Sequence, residues 1–208
     1  MKVLLVNGSP HKNGSTTEVL QHMAAAFERD GVEAEIFWIG SDPISGCRGC
    51  RACDKPNTCV MDDVGNAFRV KAKEADGFVF ASPVHYAAAS GAMTSFMDRL
   101  FYSEYTGDTF RYKAAAAVAV ARRGGTTATL DQLNKYFAIS QMYQVGSSYW
   151  NMVHGANAQE VHQDEEGMRT MRVLAHNMAY FLRCQEAGRA AGVPLPRAEE
   201  PKRTNFIR

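Results

Sequence analysis

Val3-Leu4-Leu5-Val6-Asn7-Gly8-Ser9-Pro10-His11-Lys12-Asn13-Gly14-Ser15-Thr16-Thr17 carries the chain from an apolar run, through a loop of small and hydroxyl-bearing residues, into an amphipathic segment. The run predicts a buried strand over 2–7. The spacing of Val19, Leu20, Met23, Ala24 and Phe27 predicts a helix over 15–30, stopped by Gly31. A strand, a tight loop and a helix start in that order gather backbone N–H groups and hydroxyls at the positive end of a helix dipole, which attracts phosphate. Two commoner phosphate loops are excluded: Gly14, not Lys, precedes Ser15, and no G-x-G-x-x-G follows the strand. What remains is a cradle for a terminal phosphomonoester such as that of FMN. Ser9, Asn13, Ser15 and Thr16 are its candidate ligands, His11 or Lys12 its positive charge, and Pro10 and Thr17 complete the loop. An ordinary helix N-cap needs one such residue, and this loop offers five.

Outward from that loop, apolar runs alternate with helical periodicity, as in a parallel sheet covered on both faces. Strands are predicted near 2–7, 33–39, 77–82, 114–121 and 144–149, and helices near 15–30, 63–75, 91–105, 126–141 and 160–190. Gly77-Phe78-Val79-Phe80-Ala81 and Ala114–Ala121 are unbroken apolar runs, the mark of strands buried on both sides. Five such units predict an α/β, flavodoxin-like three-layer sandwich with a five-stranded parallel sheet in the order 2-1-3-4-5, whose ligand crevice lies at the switch between strands one and three. Residues 1–191 form the expected domain. Residues 192–208, with Pro194, Pro196 and Pro201, read as an extended C-terminal arm.

Composition excludes several classes. The 208 residues are 46% hydrophobic with a net charge of +1, which supplies a core and no basic stripe for nucleic acid. The longest apolar run, Ala114–Ala121, is too short to span a bilayer, and the N-terminus does not read as a secretory signal. A cytoplasmic location with reduced thiols is the expectation.

Two further loops lie where strands three and four end. In Ser82-Pro83-Val84-His85-Tyr86-Ala87-Ala88-Ala89-Ser90, Pro83 is expected to turn the chain out of the sheet. The small residues after it let a flat ring approach the backbone, with Val84, His85 and Tyr86 at its edge or face. In Ala121-Arg122-Arg123-Gly124-Gly125, two glycines expose backbone donors and an Arg pair can offset negative charge. Tyr149 and Trp150 either wall the same site or belong to the core, and Met93, Phe96, Met97, Leu100 and Phe101 form a core stripe at helical spacing.

Cys47, Cys50, Cys53 and Cys59 have the spacing C-x2-C-x2-C-x5-C, between strand two and helix two. Three thiolates at intervals of three suit three corners of a [4Fe-4S] cluster, and a fourth nearby closes it. Free thiols and a zinc site are the alternatives. No G-x-S-x-G, no Cys-x5-Arg and no H-E-x-x-H is present, which excludes the common hydrolase, phosphatase and metalloprotease motifs. A flavin would perform the hydride and electron steps itself, so no catalytic acid–base pair is required.

The segments V-N-G-S-P-H-K-N-G-S-T, A-S-P-V-H-Y and F-M-D-R, with the compact Cys loop ahead of Asp62-Asp63, resemble the NAD(P)H-dependent FMN reductase superfamily, and within it the iron–sulfur flavoprotein branch. The likeness covers residues 1–150 well. It implies FMN phosphate on Ser9, Asn13, Ser15 and Thr16, the ring against Pro83, Val84, His85 and Tyr86, and Ala121 to Gly125 at its pyrimidine side. It also implies a Cys cluster within electron-transfer reach, and a homodimer or homotetramer. The expected function is an FMN-dependent oxidoreductase taking electrons from NAD(P)H or a reduced carrier protein to an acceptor, through the cluster if the four Cys are metallated. The alternatives are a non-catalytic electron carrier or redox sensor, and a quinone or nitro-compound reductase.

Overall fold

The computed structural model of the chain describes residues 1–197, 199, 202 and 204–206. Its strands are β1 (Lys2–Asn7), β2 (Glu33–Trp38), β3 (Gly77–His85), β4 (Ala88–Ala89), β5 (Ala114–Ala121), β6 (Tyr143–Gln144) and β7 (Met152–His154). The helices are α1 (Ser15–Arg29), α2 (Val64–Glu74), α3 (Gly91–Ser103), α4 (Thr126–Ile139) and α5 (Glu165–Ala190). The sheet runs β2-β1-β3-β5-β6, with β7 also parallel to β5 and β4 folded back antiparallel on β3. This is the doubly wound flavodoxin-like order. Among the described residues it has seven strands rather than five, because the last position is divided and a short hairpin is added.

Alternation along β1 builds two cores. Val3 and Leu5 pack with Leu20, Phe27, Met171 and Met178 under α1 and α5. Leu4 and Val6 pack with Phe68, Phe78, Phe80 and Phe96 on the opposite face, under α2, α3 and α4. Phe68 sits among Phe37, Phe78, Phe80 and Phe96, with ring centroids 5.0–6.2 Å apart. Alanine has little strand propensity, yet Ala114–Ala121 is a fully buried strand. The register explains it: Phe78 and Phe80 lie beside Ala115 and Ala117, so small residues complement large ones at constant packing density.

Three expectations are corrected. A strand over 144–149 does not form. Gly146-Ser147-Ser148 leaves the sheet, and Ser147 ties to the Asn151 side chain at 2.6 Å. The Asn151 amide then donates to the Ala117 carbonyl at 3.0 Å, standing in for the missing strand before β7 resumes. Helix 160–190 is broken: a 3-10 turn over Glu160–Gln163 ends at Asp164, whose carboxylate accepts from Gly167 N–H and starts α5. Pro83 does not turn the chain out of the sheet but pairs in register with Val120. Gly8 N–H donates to the Ala81 carbonyl, so Pro83, two residues on, faces the side where β1 has ended and no donor is required.

The core stripe on α3 is as expected, with Met93, Phe96, Met97, Leu100 and Phe101 all buried. Residues 192–197 have no regular structure beyond the turn closing α5, while Pro201 of the expected arm lies outside the described residues. Among the described residues, no helix is long and apolar enough to cross a membrane.

Candidate functional site

The first loop is held from within by Asn7, 1% exposed. Its side-chain oxygen accepts from Ser9 N–H and its side-chain amide donates to Thr17 Oγ1, each at 2.9 Å. Thr17 in turn donates to the Lys12 carbonyl, and Ser9 Oγ accepts from His11 N–H. Trp38, at the end of β2, braces the outside: its indole N–H donates to the Ser9 carbonyl at 2.8 Å, and Lys12 Nζ lies 5.7 Å from the ring centroid. Thr17 and Ser9 are therefore joined to the loop's own bonds. Ser15 and Thr16 are not, and His11, Lys12 and Asn13 are exposed.

Helix starts separate into two groups. Asp63 caps α2, Ser90 caps α3 and Asp164 caps α5, each accepting a first-turn N–H. By contrast α1 begins at Gly14 and α4 at Gly125, and neither has a side-chain cap. These two helices follow β1 and β5 on either side of β3, so their unclaimed N–H groups face the carboxyl edge of the sheet.

The three predicted loops meet at that edge. Ser90 Oγ donates to the Gly8 carbonyl at 2.9 Å, and Ser82 Oγ accepts from Ser90 N–H at 2.9 Å. A Cβ at Gly8 would fall 2.5 Å from the Met93 methyl, so α3 packs directly against the first loop. Pro83, Val84 and His85 stay in β3. Tyr86 then takes a left-handed φ of 61° in the turn to β4 and projects fully into solvent. Gly125 completes the rim at φ 93°, where a Cβ would stand 2.6 Å from Val84 Cγ1 and 3.4 Å from the Ala87 carbonyl. Ala121 is buried, and Arg122, Arg123 and Gly124 are exposed beside it. Tyr149 and Trp150 are 56% and 60% exposed with ring centroids 5.0 Å apart, so they are not core residues. Gly125→Ala is expected to cost at least about 2 kcal/mol, from the left-handed backbone together with the clash at Val84. That lowers a thermal midpoint by about 4 °C or more in a chain of this size.

The Cys loop is fastened by two side chains that sequence reasoning passed over. Asn66 accepts from Cys59 N–H at 3.2 Å and donates to the Cys59 carbonyl at 2.9 Å. Arg99, 3% exposed on α3, makes paired bonds of 2.6 and 2.7 Å to the Asp63 carboxylate. It also donates to the Met61 and Ser45 carbonyls at 3.0 and 3.3 Å, gripping both ends of the loop. Burial raises the Asp63 pKa, but the Arg99 bonds and Gly65 N–H outweigh it, so the carboxyl stays below its ordinary range. Asp63 and the neighbouring Cys59 keep the guanidinium protonated. Burial pushes the Cys53 thiol up.

Cys47, Cys50, Cys53 and Cys59 line one small cavity of about 20 Å³, with Arg48, Arg51 and the buried Arg99 as its charged wall. Gly49 and Arg51, at φ 62° and 60°, fold the backbone sharply between the first three. Among the described residues, no three His, Cys, Asp or Glu side chains converge on one point as a single ion requires. Zinc needs thiolates about 2.3 Å from a common centre, whereas an iron–sulfur cube spreads four thiolates over its corners. Four thiols around one cavity with a cationic wall fit the second donor set better than the first. Cys184 lies apart, exposed on α5.

A doubly wound sheet with uncapped helix starts at its topological switch defines a mononucleotide-binding α/β protein. Residues 1–157 match the NADPH-dependent FMN reductase family, and the chain belongs to that family. It is accordingly an FMN-dependent oxidoreductase. An iron–sulfur flavoprotein of Methanocaldococcus jannaschii is 32% identical over 187 residues, covering 86% of this chain and 96% of the relative. A second, from Archaeoglobus fulgidus, is 29% identical over 87% of this chain and 97% of its own length. In fold, the chain is similar to RosB, solved with a bound 8-demethyl-8-formylriboflavin-5′-phosphate intermediate. The TM-score is 0.69 at 13% identity, over 100% of this chain and 94% of that one.

Proposed function

We propose that the FMN phosphate occupies the start of α1, with Ser9, Asn13, Ser15, Thr16 and the first-turn N–H groups as its partners and His11 and Lys12 as its positive charge. The observation that carries this reading is the contrast among helix starts. Three helices are capped by their own Asp or Ser side chains, whereas α1 and α4 begin at bare glycines on the crevice. An anionic ligand at α1 satisfies donors that no side chain does. Pro83, Val84, His85 and Tyr86 form the wall for the ring, and Ala121 to Gly125 present backbone N–H groups toward its pyrimidine side. Val84 and Gly125 are close enough to make that wall continuous. Bound there, FMN supplies hydride and one-electron chemistry.

The same reading assigns a [4Fe-4S] cluster to Cys47, Cys50, Cys53 and Cys59, supported by their shared cavity and by the relatives' names. α3 links the two sites. Ser90 touches the first loop, and Arg99 holds the Cys loop nine residues on, about 14 Å along the helix axis. NADPH or a reduced carrier is the donor in this reading, with a small molecule or redox protein as acceptor. The exposed Tyr86, Tyr149 and Trp150 favour a homo-oligomer. Anaerobic purification tests the assignment. One FMN and about four iron atoms per chain are expected, with a broad thiolate–iron absorption beneath the flavin bands. Flavin without iron would remove the cluster and leave the FMN site standing.

A further inference from the structure

Arg99 has five N–H donors, and four are accounted for. Nη1 donates to Asp63 Oδ2 and the Ser45 carbonyl; Nη2 donates to Asp63 Oδ1 and the Met61 carbonyl. The fifth, on Nε, is buried and has no hydrogen-bond partner among the described residues. A buried donor on a charged group is costly to leave unmade, and native proteins rarely do so without a reason. This side chain lines the cavity that all four loop cysteines share. Its other contacts hold the guanidinium rigidly, so Nε cannot be turned toward water without breaking the Asp63 pair.

We propose that the Arg99 Nε–H donates to sulfur of the four-cysteine centre, and that this bond raises the potential at which the centre takes up an electron. The inference rests on the reading that Cys47, Cys50, Cys53 and Cys59 hold an iron–sulfur cluster. Hydrogen bonds to the sulfurs and nearby positive charge both favour the more electron-rich state, the established levers on such potentials. No bond is made or broken in the step. One electron enters from the reductant, and Arg99 keeps its proton because guanidinium does not titrate in this range.

The test is a spectroelectrochemical titration of anaerobically purified holoprotein, with dithionite as reductant, for the wild type, Arg99→Lys and Asp63→Asn. Lysine retains the charge and has no Nε–H in that position. Asparagine weakens the loop clamp but keeps the Arg99 Nε–H and one acceptor oxygen for the guanidinium. Arg99→Lys is expected to shift the one-electron equilibrium about tenfold toward the oxidised centre, a fall of about 59 mV. Asp63→Asn should not shift it downward. If Arg99→Lys loses its iron while Asp63→Asn keeps it, electron–nuclear double resonance of the reduced wild type and Asp63→Asn decides instead: a solvent-exchangeable proton coupled to the centre sustains the inference, and its absence overturns it. Full iron with an unchanged midpoint in Arg99→Lys overturns it, as does equal loss of iron from both variants, which leaves a clamp and nothing more. A wild type without iron is a separate result, and it fails the cluster reading itself.

Discussion

Asp63→Ala is expected to destabilise the fold by about 2–3 kcal/mol and to release the loop of residues 41–61 from α3. Breaking a fully buried ion pair costs about 3–5 kcal/mol, because the remaining charge stays buried without a partner. The Arg99 side chain is only 2% exposed, but that of Asp63 is 36% exposed, so water offsets part of the loss. The same substitution removes the cap on α2, since Asp63 also accepts from Gly65 N–H at 3.0 Å. The thermal midpoint should fall by about 5–10 °C. Protease cutting should appear within the Cys loop before the rest of the chain opens.

The pH dependence follows from the depressed carboxyl of Asp63. A carboxylate whose folded pKa lies below its unfolded value, near 3.9, contributes fully above that value and loses its contribution as pH falls through the folded one. The gap between wild type and Asp63→Ala should therefore be constant from neutral pH down to about 5 and close only below about 4. Equal denaturant midpoints for the two proteins at pH 7 would show that the clamp contributes no stability.

What the sequence disclosed depends on how local each cause is. β1, β3 and β5 are legible because burial on both faces requires unbroken apolar runs, and their order follows from the alternation with helices. The last strand is not legible. Val145 and the aromatics Tyr149 and Trp150 suggest a strand, but pairing there depends on one side chain, Asn151, reaching the Ala117 carbonyl. The place of Pro83 is not legible for a related reason: it is tolerable only because β1 ends two residues short of it, a fact of register.

The loops of the site announce themselves by composition, since glycine, serine, threonine and cysteine at strand ends are cheap to recognise. Their supports do not. Arg99 stands in a Met- and Phe-rich stripe and finds its partner 36 residues upstream, a pairing that only the fold creates. Trp38 reads as one more strand residue until its indole meets Ser9 across 29 residues. Asn66 and Asn7 are further cases, polar residues whose two-sided bonding is invisible in a one-dimensional pattern.

Asn7 carries the other large expected effect. Replacing it with alanine leaves Ser9 N–H without a buried partner, at a cost of about 1–3 kcal/mol, and removes the donor to Thr17 Oγ1, which keeps its own bond to the Lys12 carbonyl. Both groups belong to the loop that shapes the proposed phosphate site, so part of that cost reappears in ligand affinity. A loss of about 2.8 kcal/mol in binding is a hundredfold rise in the FMN dissociation constant. Asn7→Asp separates loop shape from charge. Aspartate keeps the acceptor for Ser9 N–H and so repairs half of the alanine defect, but it puts a carboxylate behind a site meant for an anion. If phosphate binds there, repulsion outweighs the repaired bond and Asn7→Asp binds FMN more weakly than Asn7→Ala. Riboflavin, which has no phosphate, supplies the control and should not share that order. Quenching of flavin fluorescence on addition of flavin-free protein measures all six pairs. Were Asn7→Asp to bind FMN as tightly as the wild type, the start of α1 would not be where the phosphate sits. The donors left open by Gly14 would then need another explanation.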